Sequence, residues 1–248
     1  MFTETEIEKM VFFDLETVPG HETLSELQEV NPELAKLWNK RAEYLESRFE
    51  ENKGKTPEEL YIDKAALSSE FNKIVCGSFG RITFEKDTNN ISTGIPKWTI
   101  KSFASPNEEV VLKGIDVVFS KFASWKFCGH TVKNFDVPVM GKRLFINGMK
   151  LPKGLQVQTL KPWEMPFVDI AELWSFGAWK EGFTSLDLMT TALGITSPKD
   201  DIEGKDVGRV FYEEKDLPRI VTYCEKDTLA CAQIILKLSG FPTVEEAV

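Results

Sequence analysis

The stretch that decides the fold is Met10-Val-Phe-Phe-Asp-Leu-Glu-Thr-Val18, which Pro19-Gly20 closes. Its apolar residues are nearly continuous, which predicts a central strand that is covered on both faces of a sheet. Asp14 and Glu16 are two residues apart, so their side chains leave the same face of the strand. Two carboxylates near a core repel each other and are costly to desolvate, and a divalent cation relieves both costs. The alternative is that both acids lie at an exposed strand end and are simply solvated.

The sequence around this strand predicts a mixed sheet flanked by helices. Residues 22–70 are rich in Glu, Lys, Leu and Ala, which predicts helices broken near residues 54–57. Two further strands, at 73–84 and 98–103, are expected to form a hairpin, and the later strands alternate with helices. The remaining predicted strands are 125–128 and 167–170, and the remaining predicted helices are 107–124, 136–148, 185–194 and 216–239. We expect a single domain over residues 1–248, with a helical insertion at about 21–70.

Composition limits the classes of function. The net charge of −9 argues against a basic face that coats duplex DNA, although not against an enzyme that grips the end of one strand. The basic residues are nevertheless concentrated between residues 126 and 161, where Asp136 is the one acid. This stretch predicts either a rim that binds a nucleic-acid backbone beside Asp136 or an ordinary solvated face. Its members are Lys126, Lys133, Lys142, Arg143, Lys150, Lys153 and Lys161.

The sequence also indicates the compartment. No apolar run reaches the roughly 18–20 residues that span a bilayer, and the acidic N-terminus has no signal-peptide layout. The four cysteines are scattered without a Cys-x-x-Cys pair, which suggests neither a zinc site nor a disulfide framework. We therefore expect a cytoplasmic protein that has no contact with membranes.

Two further motifs carry polar groups at positions that suggest chemistry. Gly129-His-Thr-Val-Lys-Asn-Phe-Asp-Val-Pro138 follows a predicted strand and opens a predicted helix. Asp136 stands near the start of that helix, where a carboxylate is also a common cap, and Phe135 is either a core residue or a platform for a base. Tyr223 and Asp227 are four residues apart in the last predicted helix and so share one face of it. That face is otherwise apolar, so both side chains need a polar destination.

Together, these three motifs resemble the DEDDy family of 3′–5′ exonucleases, in particular the proofreading-exonuclease-like domains related to family B DNA polymerases. Residues 13–17 resemble the first motif of the family, Phe135-Asp136-Val-Pro138 the second, and Tyr223-x-x-x-Asp227 the third. Residues 185–194 and the pair at 206–207 are similar to the segment that precedes the third motif. The chain departs from the family at Thr131, where the second motif usually carries an Asn; Asn134 lies nearby in a different register.

The resemblance implies a ribonuclease H-like α/β fold. In this fold, a five-stranded mixed sheet has an antiparallel meander for its first three strands and parallel later strands, with helices on both faces. It also implies catalysis by two divalent cations, Mg²⁺ or Mn²⁺, and oxygen ligands suit such hard cations. The implied metal ligands are Asp14, Glu16, Asp136 and Asp227.

The resemblance further implies roles for individual residues and a substrate. Asp14 would bridge both ions, and Tyr223 would orient the attacking water, since an ordinary phenol titrates near pH ~10. The substrate implied is the 3′ end of a single-stranded nucleic acid, with DNA favoured over RNA, and a polymerase or helicase acting in trans is left open. The implied substrate-binding residues are Leu15, Thr17, His130, Thr131, Asn134 and Phe135.

Two alternatives belong to other classes. A catalytically inactive ribonuclease H-like module would bind nucleic acid or protein through the same groove. A haloacid dehalogenase-like phosphatase is suggested by the loose similarity of residues 13–17 to the Asp-x-Asp opening of that family, although the second acid here is Glu16. The complete set of acids favours the exonuclease over the inactive module. The absence of convincing later lysine and paired-Asp motifs in the sequence argues against the phosphatase.

Overall fold

A computed structural model of the protein describes residues 1–178, 184–196 and 201–244. Within these residues, five strands form one sheet. The strands are β1 (Met10–Pro19), β2 (Asn72–Lys86), β3 (Ser92–Ala104), β4 (Lys126–Gly129) and β5 (Phe167–Asp169). Their order in the sheet is β3-β2-β1-β4-β5. The strands β1, β2 and β3 pair antiparallel, whereas β4 pairs parallel with β1 and with β5. This confirms the expected five-stranded mixed sheet, with an antiparallel meander followed by parallel strands.

The helices predicted at 107–124, 136–148, 185–194 and 216–239 begin and end within three residues of the expected positions. Local caps fix the ends of helices in the insertion, whose individual ends were not predicted. Thr56 closes a capping box with Glu59 and is followed by Pro57, which suits the first turn of a helix. The short helices at Glu4–Glu8, Ile170–Ser175 and Val207–Arg209 were not predicted. The helices are α1 (Glu4–Glu8), α2 (Leu24–Val30), α3 (Pro32–Arg48), α4 (Pro57–Lys64), α5 (Glu108–Lys121), α6 (Asp136–Ile146), α7 (Ile170–Ser175), α8 (Leu186–Ala192), α9 (Val207–Arg209) and α10 (Leu217–Leu238).

The strand β1 is covered on both faces, as its apolar sequence predicts. Val11 and Phe13 belong to a core cluster that includes residues of α5 and α6. Met10 and Phe12 point the other way, into a second cluster that includes residues of α8 and α10. Because side chains alternate along a strand, Asp14 leaves β1 on the same face as Phe12, towards α10.

The hairpin of β2 and β3 is longer than predicted. Its second strand begins at Ser92, six residues before the predicted start, because Ser92 pairs with Lys86 across a tight turn. Asp87 stabilises this turn by accepting the backbone N–H groups of Asn89 and Ile91.

The expected helical insertion consists of α2, α3 and α4 and has a core of its own. Trp38 is fully buried at its centre and packs edge-on against Tyr61 and Phe71. The indole N–H of Trp38 donates to the carbonyl of Pro57 at 2.9 Å. None of the described helices has both the length and the apolar composition needed to cross a membrane.

Candidate active site

The two acids of β1 lie at the centre of the sheet. Glu16 is 7% exposed and Asp14 is partly buried. The pairing of β1 with β2 shifts register between Glu16 and Thr17, where β2 carries one extra residue. Such a bulge bends and twists the strands locally and is frequent beside functional sites. The alternative that both acids are solvated at an exposed strand end is wrong, because the neighbouring residues of β1 are buried on both sides of them.

The helix α10 brings the third motif over β1. Tyr223 is 8% exposed, and its side chain is hydrogen-bonded to that of Asp227 one turn further along. Cys224, next to Tyr223, donates its thiol to the backbone carbonyl of Asp14 at 3.4 Å. Ligand atoms of Asp14, Glu16 and Cys224 all lie within 4.8 Å of one another. This helix therefore meets β1 at its two acids.

The second motif reaches the same place from β4, which lies parallel beside β1. Asp136 is the first residue of α6 and is 4% exposed. Its carboxylate accepts its own backbone N–H and that of Leu15, the residue between the two acids of β1. The N-cap position belongs to Phe135, whose side chain makes no capping bond. Asp136 is therefore attached directly to the first motif and is more than a helix cap.

The charges of these acids act on one another. Burial raises the pKa of Asp14 well above its ordinary value, and the nearby carboxylates of Asp227 and Asp136 raise it further. Burial followed by the charge of Asp14 raises the pKa of Glu16 in the same way. For Asp136, burial raises the pKa to about 8 although two backbone N–H groups favour the charged form. The cluster therefore lacks positive charge, which a bound cation would supply.

The two non-carboxylate side chains of the cluster stay protonated at neutral pH. Burial, with the charges of Asp227 and Glu16, raises the pKa of Tyr223 above that of an ordinary phenol. Burial and a hydrogen bond with Cys76 raise the pKa of the Cys224 thiol. A protonated thiol is a poor ligand for a hard cation, so Cys224 acts here as a donor that fixes the backbone at Asp14. Its position three residues before Asp227, on the same helix face, is the signal that sequence analysis missed.

Asp169, at the end of β5, is a further acid that sequence analysis did not single out. It is 2% exposed, and its carboxylate accepts the backbone N–H groups of Thr131 (2.9 Å), Lys133 (3.1 Å) and Ala171 (3.0 Å). Thr131 has a φ of 62°, a left-handed conformation that is strained for a β-branched residue and easier for Asn. Asp169 therefore holds the strained loop that leads into Asp136. Its place at the carboxyl end of a parallel strand was the available signal.

The substrate-binding candidates occupy several environments. Leu15 is 5% exposed and packs in the core, and the Thr17 hydroxyl donates to the carbonyl of Ala66 at 2.8 Å. Neither of these two side chains is open to a ligand. Phe135 is half-buried and packs against the core cluster of α5 and α6. Core packing, the alternative to base stacking, therefore already occupies much of the ring.

The remaining candidates lie in the loop before Asp136. The imidazole of His130 makes contacts of 2.8 Å with the carbonyl of Thr184 and 3.1 Å with the hydroxyl of Thr131. His130 therefore connects the loop to the start of the segment that carries α8. Asn134 is exposed, and both it and Thr131 line a cleft beside the loop.

The basic stretch between residues 126 and 161 is not one continuous rim. Arg143 is largely buried and makes a two-pronged ion pair with Glu108, at 2.5 and 2.8 Å. Lys142 pairs with Glu70, and Lys133 pairs with Glu172. Arg143 therefore belongs neither to a backbone-binding rim nor to a solvated face, because it fastens α6 to the start of α5. The sequence could not show this, because the partner acid is 35 residues away.

The chain matches a known protein family. Residues 67–241, well over half of the chain, match the model of a family described as a predicted 3′–5′ exonuclease related to the exonuclease domain of PolB. This region includes the second and third motifs. No curated protein matches the chain.

Solved structures also match. One is the family B DNA polymerase from the hyperthermophilic archaeon Pyrobaculum calidifontis, at 15% sequence identity and a TM-score of 0.49. That match covers 96% of this chain and 26% of the polymerase, so the chain spans about a quarter of its length. On the strength of the family match, the chain belongs to the predicted 3′–5′ exonucleases related to the exonuclease domain of PolB.

Proposed function

We propose that this protein is a metal-dependent 3′–5′ exonuclease of the DEDDy type that acts on single-stranded nucleic acid, preferentially DNA. The observation that carries the proposal is the convergence of acids from three separate elements on β1. Asp14 and Glu16 come from β1 itself, and Asp14 feels the charges of Asp136 from α6 and Asp227 from α10. Buried acids that raise one another's pKa need a counter-charge if they are to be ionised at neutral pH.

The donor set fits hard divalent cations. Every candidate ligand is a carboxylate oxygen, which suits Mg²⁺ or Mn²⁺. Bound at such a site, two cations supply an activated water and neutralise the charge that develops on the departing 3′ oxygen. The residues that would hold them are Asp14, Glu16, Asp136 and Asp227.

The other side chains of the site position the reactants. The Tyr223 hydroxyl keeps its proton at neutral pH, so it orients the attacking water by a hydrogen bond and does not act as a base. The water oxygen attacks the terminal phosphorus, and the bond from phosphorus to the 3′ oxygen breaks. The products are a nucleoside 5′-monophosphate and a strand one nucleotide shorter with a free 3′ hydroxyl. Asp169 and Cys224 do not contact the reactants. They hold the backbone at Thr131 and at Asp14, respectively, by hydrogen bonds.

The test uses a single-stranded oligodeoxynucleotide labelled at its 5′ end, with Mn²⁺ or Mg²⁺. We expect stepwise shortening from the 3′ end, which Asp14→Asn and Asp227→Asn each reduce by about 10³-fold or more, since metal stabilisation of the transition state amounts to several kcal/mol. Asp116→Asn is the matched control, because this carboxylate lies on α5 outside the site and accepts a local hydrogen bond from Ser120. Wild-type rates for Asp14→Asn would contradict the proposal.

The same assay separates the alternatives. An inactive binding module would retain the oligonucleotide on the protein without releasing mononucleotides. A phosphatase would hydrolyse a small phosphomonoester and leave the oligonucleotide intact. The same sequence made as RNA measures the preference for DNA.

A further inference from the structure

A cleft with a volume of about 680 Å³ opens beside the loop that precedes Asp136. One wall is the loop itself, and the other is formed by α7 and the segment before β5. The buried carboxylate of Asp169 also lines the cleft, but its oxygens are engaged with the backbone N–H groups described above. The residues that contribute most to the cleft chemically are Lys133, Asn134, Trp163, Glu172 and Trp174.

Two indole rings line this cleft. Trp163 is 77% exposed, which is unusual for so large an apolar side chain and marks a binding surface when it stands in a concave site. Trp174 is partly buried against the core cluster of α8 and α10, so its position is fixed by packing. Aromatic rings in such clefts stack on nucleobases of any identity, because every base offers a π-face.

The charges of the cleft suit a nucleotide. Lys133 and Glu172 both line the cleft and neutralise each other through an ion pair at 2.5 Å. The ammonium group of Lys161 lies over one face of the Trp163 ring, 5.4 Å from its centre. A base stacked on the opposite face would therefore have a cation close by for its adjoining phosphate.

The cleft lies beside the loop that leads into the candidate active site. The loop that forms one wall runs directly into Asp136, the first residue of α6. The same loop is fixed by Asp169 at both Thr131 and Lys133. We propose that this cleft binds one unpaired base of the substrate strand, on the 5′ side of the scissile bond, with Trp163 as the stacking residue. This inference rests on the proposed exonuclease function.

The experiment removes one base at a time. Single-stranded oligodeoxynucleotides of one sequence carry an abasic site at each of the last positions before the 3′ terminal nucleotide, in turn. With the wild-type protein, we expect one position at which loss of the base raises KM about tenfold, the effect of one base–aromatic stack. Trp163→Ala should raise KM about tenfold for the intact strand. In this variant, loss of the base at that position should cause no further increase in KM. Trp163→Phe should restore most of both effects.

Controls separate this inference from the function on which it rests. Thymidine 5′-monophosphate p-nitrophenyl ester has no neighbouring nucleotide, so wild type and Trp163→Ala should hydrolyse it equally. Tyr44→Ala removes another exposed aromatic side chain, on α3, and should leave KM unchanged. If the ester is cleaved but Trp163→Ala keeps the wild-type KM or the wild-type positional response, the cleft inference fails alone. If neither ester nor oligonucleotide is cleaved, the exonuclease proposal fails.

Discussion

At the scale of single residues, the candidate active site joins buried carboxylates to donors that hold their backbone in place. Asp14 illustrates both features. Its side chain lies among like charges, while its backbone carbonyl accepts the Cys224 thiol. Such a site is costly to the folded protein without a counter-ion, because burial opposes ionisation of each acid. Single substitutions in this site should therefore have measurable effects on activity or stability.

Tyr223→Phe tests the role of the phenol. Loss of one hydrogen bond to the attacking water should slow turnover by about tenfold to a hundredfold and leave the affinity for Mn²⁺ near wild type. Because the pKa of Tyr223 is raised above the ordinary phenol value, the rate between pH 7 and 9 should have the same pH dependence in both proteins. Turnover and Mn²⁺ titration at several pH values measure this. A phenylalanine variant that lost an ionisation from its pH profile would instead identify Tyr223 as a base.

Asp169→Asn tests whether the three hydrogen bonds of Asp169 hold the loop before Asp136. An amide offers one acceptor oxygen and turns its NH₂ group towards a backbone N–H, so at least one of the three bonds is lost. We expect the variant to unfold at lower denaturant, with a loss of about 1–3 kcal/mol, and to cleave oligonucleotides more slowly. Asp87→Asn is the matched control, since Asp87 also accepts two backbone N–H groups but in an exposed turn. Equal loss of activity in both variants would contradict a specific role for Asp169.

At the scale of elements, the site depends on where β1, α6 and α10 meet. The helical insertion leaves β1 just after the acids and returns at β2, and its last turn is held by two bonds to the Ala66 carbonyl, from Thr17 and Asn72 at 2.8 Å each. Its own buried cluster, centred on Trp38, is separate from the clusters against the sheet. The insertion is therefore expected to unfold locally without the sheet.

Trp38→Ala tests this separation. Removal of a fully buried indole should destabilise the insertion by about 3–5 kcal/mol, whereas the sheet keeps its own cores. Hydrogen exchange should show faster amide exchange in residues 24–64 and unchanged protection in β1 and β2. Leu37→Ala, next in the same helix but 54% exposed, should change neither. Equal loss of protection in the sheet would show that the insertion and the sheet unfold together.

At the scale of the whole molecule, the buried acids make stability depend on pH and on cations. A carboxyl group whose pKa is higher in the folded than in the unfolded protein binds more protons when folded. Its stabilising contribution is therefore largest at low pH and is lost as pH rises through the folded pKa. For Asp136, that window runs from its ordinary pKa of 3.8 to about 8. Asp14 and Glu16 shift in the same direction.

The metal-free protein should therefore lose thermal stability between pH 5 and pH 8 through these groups, and Asp136→Asn should flatten that loss. Saturating Mn²⁺ should raise Tm by roughly 5–10 °C at pH 8, because the ion binds the folded state. The increase should be smaller at pH 5, where protons compete for the carboxylates. Thermal melts with and without Mn²⁺ measure both effects. An equal increase in Tm at the two pH values would contradict a cation site built from these acids.

The sequence by itself determined the features that depend on local pattern. The nearly continuous apolar run around Asp14 specified a strand covered on both faces, and the spacing of Tyr223 and Asp227 placed both on one face of α10. The three motifs were sufficient to indicate the family. These signals are readable because strand and helix periodicities are set by the backbone over a few residues.

Only the tertiary structure decided which distant groups meet. Strand order places the end of β4 beside β1, which lets the Asp136 carboxylate accept the N–H of Leu15. The fold also brings the Asp169 carboxylate to the backbone N–H of Thr131 and the Thr17 hydroxyl to the carbonyl of Ala66. It buries Arg143 in an ion pair with Glu108. These contacts join residues far apart in the chain, and their formation depends on how helices and strands pack. Periodicity says which face of an element is buried, whereas packing decides what that face touches.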